Sequence, residues 1–327
     1  MKRAFIILCC FLALQSCNKD NTKNETINDF DINWTGDLGK TEKDAIRNMI
    51  SNMVKVDGGT FFMGAQKDSV EYYNYDETAL PNEAPVHEVT VSDFYINKYE
   101  VTQDLWEAVM GATPNDENDM QWEKEFGKGD KYPAYRISFK EVETFIGKLN
   151  EYTGLNFALP TEAQWEYAAR GGKYAETLEI INLKEVINQI PVYDTIIQDT
   201  IFINDTILVN DTLVSYEYIY AGSNNIDDVA WIDSNSTMNS EVGMKLPNAL
   251  GLYDMSGNVW EMCQDWFYEY TEEAVTDPVG EAYNQGYKVF RGGSWNTNAQ
   301  QARVTTRYQQ GIHYRDYNTG FRLSINN

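Results

Sequence analysis

Leu246–Trp266, LPNALGLYDMSGNVWEMCQDW, is the stretch that most restricts what this chain can fold into. At its centre Asp254 and Glu261 stand seven residues apart around Gly257, closely flanked by aromatic and aliphatic residues. A tight turn with a carboxylate at each end can aim acid oxygens and backbone carbonyls at one point. Hard cations such as Ca²⁺ take that kind of oxygen set. The same spacing suits a capped turn in a hydrophobic core, so spacing alone leaves both readings open.

The amino end reads as an export signal. Lys2 and Arg3 precede the apolar run Ala4–Leu14, which is too short to span a bilayer as a helix. Leu14-Gln15-Ser16-Cys17 resembles a bacterial lipobox, where cleavage leaves Cys17 as the lipidated terminus. An ordinary secretory signal with an incidental cysteine is the alternative. Residues 1–16 are therefore read as signal peptide and 17–41, rich in Asn, Asp, Lys and Thr, as a flexible tether. The remainder, 42–327, is read as one domain on a lipid-anchored protein of the bacterial cell envelope, expected at the outer membrane and either periplasmic or surface-exposed.

Charge narrows the partners. Fifty acidic against 26 basic side chains give a net charge of −24, which repels phosphate backbones and anionic lipid. Nucleic acid is not an expected partner. Of the four cysteines, Cys9 and Cys10 leave with the signal and Cys17 is acylated in this reading. Cys263, between Trp260 and Trp266, then has no partner for an intramolecular disulfide and reads as a buried apolar residue.

Local patterns place several elements. Residues 43–52 carry apolar positions at helical spacing, and Val54–Met63 alternates as a hairpin turning at Asp57-Gly58-Gly59 would. Thr102 is a candidate cap for a helix over Gln103–Met110. Ser138 with Glu141, and Thr161 with Gln164, have capping-box spacing; Gly154 and Gly171 offer the stops. Residues 174–219 read as a β-rich insertion, because Asp-Thr recurs at 194, 199, 205 and 211 and the last two steps are an even six residues. An extended arm of that kind either packs on its own domain or offers an edge to a partner.

Six motifs then carry a resemblance. Val56–Gly64 (VDGGTFFMG), Lys98–Thr102 (KYEVT), Leu159–Gly172 (LPTEAQWEYAARGG), Gly251–Met262 (GLYDMSGNVWEM), Arg291–Trp295 (RGGSW) and Gly320–Leu323 (GFRL) follow one another in order. Together they resemble the formylglycine-generating enzyme, or sulfatase-modifying factor, family. The resemblance implies an irregular α+β domain of C-type-lectin-like fold, with short strands, few helices and long loops.

It also implies chemistry that this chain lacks. Active members bind copper through a cysteine pair just past the GGSW-like motif, soft thiolates being suited to Cu(I). Aligned on that motif, those positions fall on Thr297 and Ala302. No copper is expected, and the chain is expected not to make formylglycine. Wider relatives use nonheme iron held by three histidines; only His87 and His313 occur here, so that site cannot be built within one subunit, and a metal-dependent oxidoreductase of the nonheme iron type with a two-His-one-carboxylate site is the alternative reading. The family's calcium position, matched residue by residue, falls on Asp254, Gly257, Val259 and Glu261, a structural Ca²⁺ site. The segment 296–318 would occupy the former active-site groove. Its Asn296, Thr297, Asn298, Arg303, Arg307, Tyr308 and Tyr314 suit a recognition surface for an envelope or surface protein or a glycan.

Overall fold

A computed structural model describes residues 23–114, 121–175, 177–182, 185–194, 199–208, 211–216, 218–280 and 286–326, with backbone alone over 177–216. The expected signal peptide and Cys17 lie outside the described residues, but the expected flexible tether is folded from residue 24 on: Asn24–Ile27 pairs with Phe30–Asn33, and Phe30, Ile32 and Trp34 are buried in the core. Among those described, no helix is long and apolar enough to cross a membrane.

Two four-stranded sheets and a three-stranded one form the frame. The first runs Arg307–Gly311, Tyr287–Arg291, Trp260–Trp266, Thr319–Gly320, which places the strand of the central motif inside it. The second runs Met53–Val56, Phe94–Asn97, Ser324–Asn326, Phe157–Ala158. The third runs Val275–Thr276, His87–Val91, Gly59–Met63. Short strands and long loops make this the irregular α+β fold that the sequence implied.

Helix α1 (Lys40–Ser51) begins three residues earlier than its apolar spacing suggested and buries Ile46, Met49 and Ile50. Helix α2 (Gln103–Met110) has the expected bounds, but Thr102 does not cap it with its side chain. The hydroxyl instead donates to Asp104, whose Oδ1 accepts from the Leu105 amide at 2.8 Å. Helices α3 (Phe139–Thr153) and α4 (Glu162–Arg170) both open on complete capping boxes and stop at glycines with φ of 72° and 104°. Left-handed backbone of that kind favours glycine. Helix α3 turns Phe139, Val142, Phe145 and Leu149 inward; Phe145 stacks on Trp106 at 5.3 Å and meets Phe321 edge-on at 5.4 Å.

The expected hairpin over Val54–Met63 is not formed. Met53–Val56 pairs with Phe94–Asn97, while Gly59–Met63 pairs with His87–Val91, so the two strands enter different sheets. The turn between them is clamped from outside: the Gly58 amide donates to Asp93 Oδ1 at 2.8 Å, and a Cβ there would lie 2.3 Å from the Val91 carbonyl. Alternation fixes which face of a strand is buried but leaves its partner open.

Within 174–219 the backbone forms an antiparallel ribbon. Thr177–Asn182 pairs with Asp211–Tyr216, and Glu185–Asp194 with Asp199–Leu208. The recurring aspartates fall opposite Asp194, Asn188 and Asn182 in register.

Candidate functional site

The central motif folds as a strained turn feeding a sheet strand. Asp254 and Asn258 adopt left-handed backbone, φ 56° and 60°, and Gly257 sits at 81°. A Cβ on Gly257 would meet the Trp231 carbonyl at 2.3 Å, so only glycine permits this approach. Asn258 ties the surroundings together. Its Nδ2 donates to Glu100 Oε1 at 2.9 Å, its Oδ1 accepts from the Ser240 amide at 2.9 Å, and its carbonyl accepts from the Trp295 amide at 2.8 Å.

Glu261 is completely enclosed. Oε2 accepts from Trp165 Nε1 at 2.8 Å and Arg322 Nε at 2.6 Å, and Oε1 accepts from Arg322 Nη2 at 2.5 Å. Arg322, equally buried, also donates to the carbonyls of Asn97 and Tyr253. Asp254 has one oxygen fixed by the Gly243 amide at 2.7 Å, and its Oδ1 is buried without a hydrogen-bond partner. Glu100 Oε2 is buried and unpartnered as well.

These residues fit a calcium ion in part. Asp254 keeps a free hard oxygen in a dry turn, and Gly257 lets the backbone come close, as such a site requires. Glu261, expected as the fourth ligand, is turned to a guanidinium and an indole instead. Among the described residues no three Asp, Glu, His or Cys side chains are gathered around one point in the manner of a metal centre.

The segment 296–318 is built differently from a recognition loop throughout. Arg303 and Arg307, expected to face a ligand, point inward instead and hold the interior together. Arg303 makes a two-nitrogen pair with Glu83, at 2.8 and 2.5 Å, and reaches Asp76 at 2.8 Å. Arg307 grips Glu162 at 2.6 and 2.8 Å and lies 3.7 Å from the Tyr270 ring centroid. Each guanidinium is 2 % exposed, and an unpaired charge at such depth would be costly, so the carboxylates hold them inside. Arg291 of the RGGSW motif is held likewise by Glu166 and by the carbonyls of Val304, Thr305 and Thr306.

The other members of the set lie nearer the surface. Asn298 is exposed and accepts from the Gln301 amide; Asn296, Tyr308 and Tyr314 are half-buried. Tyr308 stacks on Trp260 at 5.0 Å, and Tyr314 donates to Asp316. Burial and then that carboxylate hold the Tyr314 hydroxyl protonated well above its usual range.

Thr297 and Ala302 hold the loop rather than a metal. Thr297 Oγ1 accepts from the Ser294 amide at 2.9 Å and donates to its carbonyl at 2.8 Å, and Ala302 is fully buried. Cys263 is free and wholly buried, and burial foremost pushes its thiol well above the ordinary range. His87 is buried against Tyr270 with Nδ1 3.1 Å from the Pro85 carbonyl, while His313 is exposed.

Two clefts flank the site. One of about 600 Å³ is lined by Tyr132, Trp231, Ser236, Asn239 and Met244, and adjoins the segment 296–318 where the Asp233 amide donates to the Thr297 carbonyl at 3.1 Å. The second, about 390 Å³, is lined by Tyr99, Glu100, Asp104, Asp130 and Lys131. Glu83, Glu100, Glu162 and Glu166 were not singled out from sequence. The last three lie inside the KYEVT and LPTEAQWEYAARGG motifs, which is the signal that could have found them.

Fold and site define an irregular α+β domain pinned by buried arginine–glutamate pairs drawn from separate motifs. Residues 39–327 match the sulfatase-modifying factor enzyme 1-like domain, and the chain belongs to that family. The chaperone protein LppX of Paenibacillus barcinonensis is 27% identical over 268 residues, 66% of this chain and 74% of that one. The formylglycine-generating enzyme of Thermomonospora curvata is 26% identical over 291 residues, covering 74% and 82%. The serine/threonine-protein kinase pkn1 of Chlamydia pneumoniae is 26% identical over 293 residues, but this chain covers only 38% of its length. In fold the chain is similar to Treponema denticola variable protein 1 (TM-score 0.58, 23% identity, 93% and 98% covered). It is also similar to PvdO from Pseudomonas aeruginosa (TM-score 0.59, 23% identity, 83% and 93% covered).

Proposed function

We propose that this chain is a membrane-anchored extracytoplasmic lipoprotein whose domain does not make formylglycine and instead binds an envelope or surface protein or a glycan. The observation that carries this reading is the pair Thr297 and Ala302. A threonine hydroxyl already spent on Ser294 and a buried methyl group cannot supply the two thiolates that copper-dependent thiol oxidation needs. Cys263 does not replace them, being alone, buried and held as a thiol.

The binding face is proposed to combine Asn296, Asn298, Tyr308 and Tyr314 with the 600 Å³ cleft beside Thr297. Hydroxyls, amides and a tryptophan line that cleft, a mixture suited to polar ligands with an apolar face. The relative named as a chaperone protein supports a protein partner over a glycan. Structural calcium at the Asp254–Val259 turn belongs to the same reading, as does lipidation of Cys17.

The test uses the full chain expressed in a bacterial envelope. It should take up radiolabelled fatty acid, and Cys17→Ala should not. With copper and oxygen it should leave the cysteine of a sulfatase peptide unchanged in mass. Conversion of that cysteine to an aldehyde would overturn the proposal.

A further inference from the structure

We infer that the cleft of about 600 Å³ lined by the loop from Trp231 to Met244 seats the main chain of an extended peptide. Asn239 Oδ1 accepts the N–H of one peptide residue, and Trp231 Nε1 donates to the C=O of the same residue. The inference rests on the reading that this cleft belongs to a binding face, and it names what the cleft recognises.

Two buried polar atoms of the lining residues have no partner. Asn239 is 1 % exposed, and its Nδ2 donates to the carbonyls of Phe126 at 2.7 Å and Tyr317 at 3.0 Å. Both amide protons are thereby used, so Oδ1 is the acceptor, and it is left without a donor. Trp231 Nε1 can only donate, and it is left without an acceptor. Keeping such atoms from water unpaired is costly, and each calls for a ligand group.

One residue brings the two together. The Asn258 amide donates to the Trp231 carbonyl at 2.9 Å, and Asn258 Oδ1 accepts at 2.9 Å from the amide of Ser240, the neighbour of Asn239. Trp231 is fixed further by its strand pairing with Gly257. This wall of the cleft is therefore held in place before any ligand arrives.

A donor beside an acceptor selects the ligand. A bare ion cannot serve both. The acetamido group of a sugar holds its N–H and C=O on opposite sides of a trans amide. In an extended strand the N–H and C=O of one residue lie on the same side, as where a ladder pair exchanges both bonds. Met238 and Met244 in the lining, 37 % and 63 % exposed, offer flexible thioethers to an aliphatic side chain. Asp233 and Glu241 line the same cleft and favour a basic residue over an acidic one.

The test is calorimetric titration of the full chain, in detergent, with an end-blocked Lys-Leu-Lys-Leu-Lys peptide, and separately with chitotriose as an acetamido sugar. The peptide should bind, and it should shift the indole N–H resonance that Trp231→Phe deletes. Trp231→Phe should weaken the peptide about tenfold with little change in melting, because that N–H has no partner in the free chain to lose. The same peptide N-methylated at every main-chain nitrogen should also bind about tenfold more weakly. Peptide binding that either change leaves unaltered overturns this inference and leaves the binding reading standing, as does binding of chitotriose in place of the peptide. Binding of neither overturns it too, while the proposed function is judged separately by the sulfatase-peptide test.

Discussion

Arg322 holds Glu261 through two parallel hydrogen bonds, 2.6 Å from Nε and 2.5 Å from Nη2, with neither side chain exposed. The pair joins the GFR motif to the central motif across 61 residues of sequence. It decides how the central turn can be used, because a glutamate committed in this way is no longer a free ligand.

Arg322→Ala should destabilise the domain by about 3–5 kcal/mol, the range for breaking a buried pair from one side. Urea unfolding measures it. A loss under about 1 kcal/mol would mean that the pair carries little of the fold.

Arg307 and Tyr314 should separate stability from binding. Arg307→Ala strands Glu162 in the interior and should cost about 3–5 kcal/mol. Tyr314→Phe removes a half-buried hydroxyl and should cost about 1 kcal/mol or less while weakening partner capture. Equal effects of the two on melting would contradict the assignment of Arg307 to the interior.

Stability in EDTA should fall as pH rises through about 4 to 6. Asp265 is raised to about 6, by burial first and then the Glu162 charge, above the ordinary 3.8 of an unfolded chain. The folded state therefore binds more protons than the unfolded state in that window, and its advantage is fully lost above it. The contribution is on the order of 2–3 kcal/mol. Asp254, shifted the same way, adds to the slope. Asp265→Asn should flatten the profile of unfolding free energy against pH; an unchanged slope would show that Asp265 titrates normally.

Ser138→Ala and Thr161→Ala each remove a capping hydroxyl, from the Glu141 amide at 3.4 Å and the Gln164 amide at 3.1 Å. Each should cost about 1 kcal/mol. Amide exchange should rise first at Glu141 and Gln164 respectively; exchange confined to the far ends of α3 and α4 would argue against the caps.

Legibility in the sequence tracked how local the cause is. Helices α3 and α4 were readable because Ser138, Glu141, Thr161 and Gln164 make their bonds within three residues, and Gly154 and Gly171 stop each helix. The hairpin over Val54–Met63 does not form because the partners of both strands lie 24 to 44 residues onward, at 87–97. The loop 296–318 was read as a polar surface because Arg303 and Arg307 look solvated until Glu83 and Glu162 are brought beside them. Those contacts span 220 and 145 residues, and no window of sequence shows them.

The short strand Ser324–Asn326 lies between Phe94–Asn97 and Phe157–Ala158 in its sheet. Until it arrives those two strands have no neighbour to share, and Glu261 lacks its counter-charge from Arg322. Closing that sheet and that charge pair therefore waits on a segment far along the sequence from the strands and the glutamate it joins. Contacts so distant in sequence carry a large loop-closure cost, so the topology places the joining of this sheet late in folding.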